Sequence, residues 1–276
     1  MPEGLTYDAR QDVFFLSSLN RRKIVRINFK DAETDFVPSQ RDHLLPVLGI
    51  RVNPVDGTVW AASWSEDAGK SELLHFDASG KLLDRYAPND NESHGFNDLV
   101  IRKNGEVVLT DSVSNRIYRF TTSAQVFAAV PVYRQVSAPN GIALADDDHQ
   151  IFVADDFGIV RVDLDKGTSR DLIRSPGSTL AGVDGLYWHK GSLIAIQNGI
   201  GSPRVAAFRL SPDATRVDHT TVLENRSAFT ATPTTGAIRG DNFYFMANSQ
   251  GDNLNGDKVV DKMKLERVRI GVLSLP

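Results

Sequence analysis

The chain has 276 residues, a formal net charge of -4 and no cysteine. A mild charge that is not gathered into a tail gives no footing for nucleic acid, and the lack of Cys excludes disulfides, thiolate metal sites and a cysteine nucleophile. No apolar run approaches the roughly 20 residues that cross a bilayer, so no membrane partner is expected.

Taken in order, the chain repeats. Six units open with a short cluster before an apolar run: Glu3-Gly4-Leu5, Leu48-Gly49-Ile50, Asn97-Asp98-Leu99, Asn140-Gly141-Ile142, Asp184-Gly185-Leu186 and Thr235-Gly236-Ala237. Successive openings lie 45, 49, 43, 44 and 51 residues apart, a period in the range of four-stranded propeller blades. Each opening strand is followed by a turn, such as Lys103-Asn104-Gly105 or His189-Lys190-Gly191, and then by a second apolar run such as Ile151-Phe152-Val153-Ala154. Short β-branched and aromatic runs bounded by Gly, Asp and Asn read as hairpin strands. A third, alternating run follows (Arg116-Ile117-Tyr118-Arg119-Phe120 is one), and a weaker fourth segment such as Thr34–Val37 or Ala124–Phe127 completes most units. The expectation is an all-β, six-bladed β-propeller of four-stranded antiparallel blades, one domain over residues 1–276, with no long amphipathic helix.

The ends carry their own expectation. The last unit supplies three strands, and only Met1 and Pro2 precede Glu3. The last blade is therefore expected to lack its outer strand. This favours a longer natural N-terminus, which would also have hidden any signal peptide, so the compartment stays open between cytoplasmic and periplasmic or secreted. Residues 251–266, with Asp252-Asn253-Leu254-Asn255-Gly256-Asp257, lack the alternating ligand spacing of an EF-hand. They read as a polar surface loop or lid.

Equivalent positions on the inner strands of a propeller lie at one level around the axis, which would bring Glu3, Asn97, Asn140 and Asp184 together. The other two ring positions, Leu48 and Thr235, are poor ligands. Two carboxylates and two amides form an all-oxygen set suited to a hard divalent cation. An Asn-Gly or Asp-Gly pair alone reads as a hairpin turn. Here each pair opens an apolar strand in one register, and a separate turn follows each strand.

Pro2-Glu3-Gly4-Leu5, Phe96-Asn97-Asp98, Pro139-Asn140-Gly141-Ile142 and Val183-Asp184-Gly185-Leu186 resemble the four metal-site motifs of the gluconolactonase / senescence marker protein (regucalcin) family. Its wider calcium-dependent phosphotriesterase superfamily includes diisopropyl fluorophosphatase, the paraoxonases and strictosidine synthase. The resemblance implies a metal held by Glu3, Asn140 and Asp184, with Asn97 binding metal or substrate. Ca²⁺ is the first expectation, with Mg²⁺, Mn²⁺ and Zn²⁺ as alternatives. Such relatives often carry an Arg two residues before the Asn that matches Asn97; this chain has Gly95 there, preceded by His94.

The activity implied is hydrolysis of a lactone or related ester, with the cation polarising the carbonyl and activating water. Asp184 is the candidate general base. His94 is the nearest ionisable group by sequence for relaying a proton, against the plainer reading of a loop His. Gln197, Asn198 and Asn248, each following a second apolar run, are candidates for holding substrate, whereas Asp111 and Asp155 read more simply as turn caps. Trp60 and Trp188 read as packing residues, and Trp64 as a pocket wall. Two alternatives stand beside the lactonase: a phosphotriester-type hydrolase, and a binding module in which the ion only ties blades together. The expected partner is a small-molecule lactone or ester, with the protein a monomer or weak oligomer.

Overall fold

Alternation inside the second strand of each unit decides the architecture. Successive side chains of a strand point to opposite faces, so a run apolar at every position has two faces to bury. In Val13–Ser18, Val13 and Phe15 pack toward the second unit while Phe14 and Leu16 pack toward the sixth. In Gln150–Asp155, Ile151 and Val153 face the third unit while Phe152 and Ala154 face the fifth. A sheet apolar on both faces must be sandwiched, and six such sheets in a ring satisfy every face.

The computed structural model describes residues 1–29, 32–225, 232–249 and 270–276. Blade one is β1 (Pro2–Asp8), β2 (Val13–Ser18), β3 (Lys23–Asn28) and β4 (Glu33–Val37); blade two is β5 (Val47–Val52), β6 (Val59–Ser65), β7 (Lys70–Phe76) and β8 (Leu82–Tyr86). Blade three is β9 (Phe96–Ile101), β10 (Val107–Asp111), β11 (Arg116–Phe120) and β12 (Ala128–Ala129). Blade four is β13 (Ile142–Leu144), β14 (Gln150–Asp155), β15 (Gly158–Asp163) and β16 (Thr168–Asp171). Blade five is β17 (Val183–His189), β18 (Ser192–Gln197), β19 (Arg204–Leu210) and β20 (Val217–Asn225). Blade six has three strands among the described residues, β21 (Gly236–Arg239), β22 (Asn242–Met246) and β23 (Ile270–Ser274). All pairings within blades are antiparallel and sequential.

This is the expected six-bladed propeller, with three strands in the last blade among the described residues. The inner strands β1, β5, β9, β13, β17 and β21 contact one another in that order, and β21 returns to β1. One hydrophobic cluster fills each of the six interfaces between blades. That between blades six and one centres on Leu5, Phe14, Leu16, Ala237 and Met246. Polar groups add to this closing seam: the Thr235 hydroxyl donates to the Glu3 carbonyl, and Arg239 pairs with Asp12 at 2.9 Å.

Each of the six turns expected after an inner strand holds a left-handed residue: Asp12, Gly57, Gly105, Asp148, the pair Lys190-Gly191, and Gly240. Two segments depart from expectation. The fourth strand of blade three pairs at Ala128–Ala129 rather than 124–127, because Thr121 starts a turn whose carbonyl accepts from Gln125 N and Gln125 takes φ 53°. A 3₁₀ turn at Arg41–His43 is the one helical element among the described residues. The polar segment 251–266 lies outside the described residues.

Candidate functional site

The site is built by a β-bulge repeated around the ring. In β1, Pro2 pairs with Ser18 and Leu5 with Leu16, so Glu3 and Gly4 together oppose Ser17. The same two-against-one count places Leu48-Gly49 opposite Ala62, Asn97-Asp98 opposite Thr110, and Asp184-Gly185 opposite Ile196. Asn140-Gly141 is held likewise, Asn140 N donating to Ala154 O and Ala154 N to Gly141 O, both at 2.9 Å. A bulge adds one residue and re-aims its side chain. Here it brings the first residues of three pairs, Glu3, Asn140 and Asp184, within reach of one another.

The glycines of these pairs are packing residues, not turn residues. None adopts left-handed backbone. A Cβ on Gly4 would lie 2.2 Å from Leu48 O, one on Gly49 2.5 Å from Asn97 O, and one on Gly141 2.2 Å from Asp184 O. The backbone of the next blade fills the space a side chain would need. The hydroxyl opposite a bulge then ties neighbouring blades: Ser17 Oγ accepts from Gly4 N and donates to Leu48 O, both at 2.7 Å. Thr110 Oγ1 accepts from Asp98 N at 3.0 Å and donates to Asn140 O at 2.8 Å.

At the ring, Asn140 hydrogen-bonds Asp184, and Asp184 repels the Glu3 carboxylate. Asn198 Nδ2 donates to Asp184 Oδ2 at 2.5 Å and to Pro233 O at 2.9 Å. Asn97 holds the matching bulge position of blade three, its Nδ2 donating to Ser112 Oγ at 3.0 Å while Ser112 donates to Pro139 O at 2.7 Å. Burial pushes the Asp184 carboxyl up to about 6, against the bonds from Asn198 and Asn140. The Glu3 carboxyl is held well above the usual carboxylate range by burial first and then by Asp184, with the N-terminal ammonium pulling the other way. Glu3 Oε2 is shielded from solvent and has no hydrogen-bond partner. Such an orphaned carboxylate oxygen is costly unless something positive meets it.

Beneath the ring lies an unexpected plug. Asp98, 4% exposed, occupies the slot that is Gly in the other five units. Its Oδ2 accepts from Arg51 at 2.8 Å, and its Oδ1 from Leu99 N at 2.8 Å. Burial raises the Asp98 pKa, with Arg51 the main opposing influence. The Arg51 guanidinium sits 5.5 Å from the Tyr187 ring centroid, and Tyr187 OH accepts from Gly236 N at 2.6 Å. A cavity of about 230 Å³, lined by Arg51, Tyr187, Trp188 and Leu144 among others, lies at the far end of the channel and contains none of the four ring residues. The departure Asn97-Asp98 from the X-Gly pattern was the sequence signal for Asp98. Nothing in the sequence marked Arg51, Tyr187 or Ser112.

The remaining expected residues sit as follows. His94 is clamped, Nδ1 to Asp111 Oδ2 at 2.6 Å and Nε2 to Asp90 Oδ1 at 2.9 Å. Burial opposes its charge, but the two carboxylates outweigh this and hold its pKa above the ordinary value. Both ring nitrogens are thus engaged away from Glu3 and Asp184. Gln197 is buried, donating to Thr179 O and Ala181 O and accepting from Arg204. Asn198 orients Asp184. Asn248 is buried and bridged to Thr232. Asp111 accepts from Gly95, Val113 and Ser114 N, and Asp155 from Phe157 and Gly158 N, as turn caps.

The ring residues fit a divalent cation. Two carboxylates lie together, one oxygen is orphaned, and the Asn140 amide bonds Asp184, although no group of three or more His, Cys, Asp or Glu gathers among the described residues. Glu3, Asn140 and Asp184, with Asn97, could hold it.

Residues 1–190 match the family described as SMP-30/Gluconolactonase/LRE-like region. A search of curated proteins finds no match. Among solved structures, a gluconolactonase from Xanthomonas campestris is 14% identical, with TM-score 0.69 over 100% of this chain and 86% of that one. A PQQ-bound aldose sugar dehydrogenase from Streptomyces coelicolor is 15% identical, with TM-score 0.67 over 99% and 93%. A virginiamycin B lyase from Staphylococcus aureus is 19% identical, with TM-score 0.64 over 89% and 77%. Identities this low show a common propeller and leave the chemistry to the site. Among the described residues no helix is long and apolar enough to cross a membrane.

Proposed function

The chain belongs to the SMP-30/gluconolactonase/LRE-like family, and from that premise we propose that it is a divalent-metal-dependent hydrolase of a lactone or related ester. The observation that carries this reading is the shielded, unpartnered Glu3 Oε2 facing Asp184, at positions that match the family's metal motifs. Glu3, Asn140 and Asp184, with Asn97, would hold the cation, which would supply Lewis-acid polarisation of the ester carbonyl.

The chain's own residues supply the rest. Asp184, which accepts from Asn198 and Asn140 and lies beside Glu3, is the general base in this reading. It takes a proton from water as the water oxygen adds to the acyl carbon. The same proton then passes to the ring oxygen as the acyl–oxygen bond breaks, giving the hydroxy acid. Asn198 fixes the carboxylate through Oδ2. Ser112, bonded to Asn97 and to the Pro139 carbonyl, orients the Asn97 amide at the mouth, where it can hold substrate.

The test is a panel of lactones and a phosphotriester, assayed with Ca²⁺, Mg²⁺, Mn²⁺ or Zn²⁺ and with chelator. Lactone turnover lost on chelation and in Asp184→Ala is the expected result. Metal-dependent stabilisation with no turnover across the panel would overturn the hydrolase reading in favour of a binding module.

A further inference from the structure

The mouth is polar on one side and apolar on the other. Blades four and five present Asn140, Asp184 and Asn198. Blade two presents Leu48, 8% exposed, at its bulge position between Glu3 and Asn97. Trp64, half-buried near the mouth end of β6, is tied to the same strand, its backbone N donating to Pro46 O at 3.1 Å, two residues before Leu48. Blade three continues the wall. A Cβ on Gly95 would come 2.5 Å from Val113 Cγ2 and 3.2 Å from Trp64 Cε2, so those two side chains cover the position. Val113 is 39% exposed, and its neighbour Ser112 bonds Asn97.

The wall is held in place. Asp111 Oδ1 accepts from Gly95 N at 2.8 Å, Val113 N at 3.1 Å and Ser114 N at 2.9 Å. The ionisable group nearest to Gly95 in sequence, His94, has both nitrogens engaged by Asp111 and Asp90. Hydroxyl groups laid over Leu48, Trp64 and Val113 would leave water without a replacement partner, which is unfavourable. Methylenes laid there would leave water with a gain.

We propose that Leu48, Trp64 and Val113 form a specificity wall, and that the substrate is a lactone or ester bearing an alkyl or aryl substituent rather than a polyhydroxylated one. The proposal rests on the hydrolase reading above. A substrate bound at Glu3, Asn140 and Asp184 would have Leu48 and Asn97, the ring positions of blades two and three, beside it. Gly95 is required because any side chain there would displace Trp64 or Val113.

The test is hydrolysis of γ-lactones carrying substituents from methyl to hexyl, beside glucono-δ-lactone, under one metal condition. We expect kcat/KM to rise about two- to fourfold per methylene over the first few carbons, since a fully buried CH₂ is worth about 0.8 kcal/mol. Val113→Ser, a change in a partly exposed turn, should flatten that slope. A flat slope in the wild type, or a preference for glucono-δ-lactone, would overturn the wall while leaving the hydrolase reading intact. If no lactone is turned over, the hydrolase reading falls and the wall is read by calorimetry with non-hydrolysable lactams. Tighter binding of the alkyl γ-lactam than of a polyhydroxylated lactam, weakened by Val113→Ser, upholds it. Equal binding, or none, overturns it.

Discussion

Replacing Asp184 by Asn should make the protein more stable without metal and should lose that advantage with it. In the chelated protein the Asp184 carboxyl is raised from 3.8 to about 6, a difference of ~3 kcal/mol. The folded state therefore holds this proton more tightly than the unfolded chain does. That contribution is fully present below 3.8 and is lost as pH rises through about 6. At pH 8 the ionised Asp184 thus costs the metal-free fold ~3 kcal/mol, and its charge also repels Glu3. Asn removes the charge and retains an oxygen for the Asn198 amide. With an unfolding entropy of about 2.1 cal/mol/K per residue over 276 residues, ~3 kcal/mol moves Tm by about 5 °C. The assay is thermal unfolding with chelator at pH 8 and at pH 4, then at pH 8 with Ca²⁺. Chelated, the variant should melt about 5 °C above wild type at pH 8, and the gap should close at pH 4. At a Ca²⁺ concentration near 100 times Kd the wild type gains ~2.7 kcal/mol, the variant little of it, and the gap closes. A chelated variant that melts below wild type at pH 8, by the same margin at pH 4, would refute the reasoning.

Three further outcomes follow from the geometry. Arg51→Met strands the buried Asp98 carboxylate and should cost about 3–5 kcal/mol in urea unfolding; adding Asp98→Asn should recover more than half, and a double variant no better than the single would contradict the pairing. Gly141→Ala places a methyl 2.2 Å from the Asp184 carbonyl, where rigid backbone must shift. It should cost about 1–3 kcal/mol or more, and a loss within the error of denaturant titration would show that the bulge ring relaxes freely. The clamped His94 has a raised pKa, so its stabilisation is full below the ordinary value of 6.5 and fades as pH rises through the folded-state pKa. The stability advantage of wild type over His94→Gln should therefore be larger at pH 6 than at pH 9, and an advantage independent of pH would remove the charged clamp from the account.

Much of the candidate site was legible because a propeller repeats its inner strand in one register. Glu3, Asn97, Asn140 and Asp184 could be aligned by period alone, and a separate turn after each strand argued that Asn140-Gly141 and Asp184-Gly185 were not hairpin tips. The positions bear this out, since none of those glycines is left-handed. Their reason lay elsewhere: the next blade's backbone sits where a Cβ would be. The outward-reading polar residues were harder. Gln197 and Asn198 are adjacent at the end of a strand, so one points into the blade to hold residues 179–181 and the other reaches Asp184. Period two separates them, but only packing says which faces which.

What the sequence determined by itself is the repeat: six apolar hairpin units with one variable residue each at a common level. Local strand propensity and the two-faced apolar second strand leave few other ways to bury these surfaces. What the tertiary structure decided is where charge goes once the ring closes. The pairing of Arg51 with Asp98 across 47 positions, the orphaned Glu3 oxygen and the engagement of both His94 nitrogens all depend on which backbones approach one another. Those approaches are set by the bulges, and a bulge is a two-against-one register between strands. No single strand carries that information.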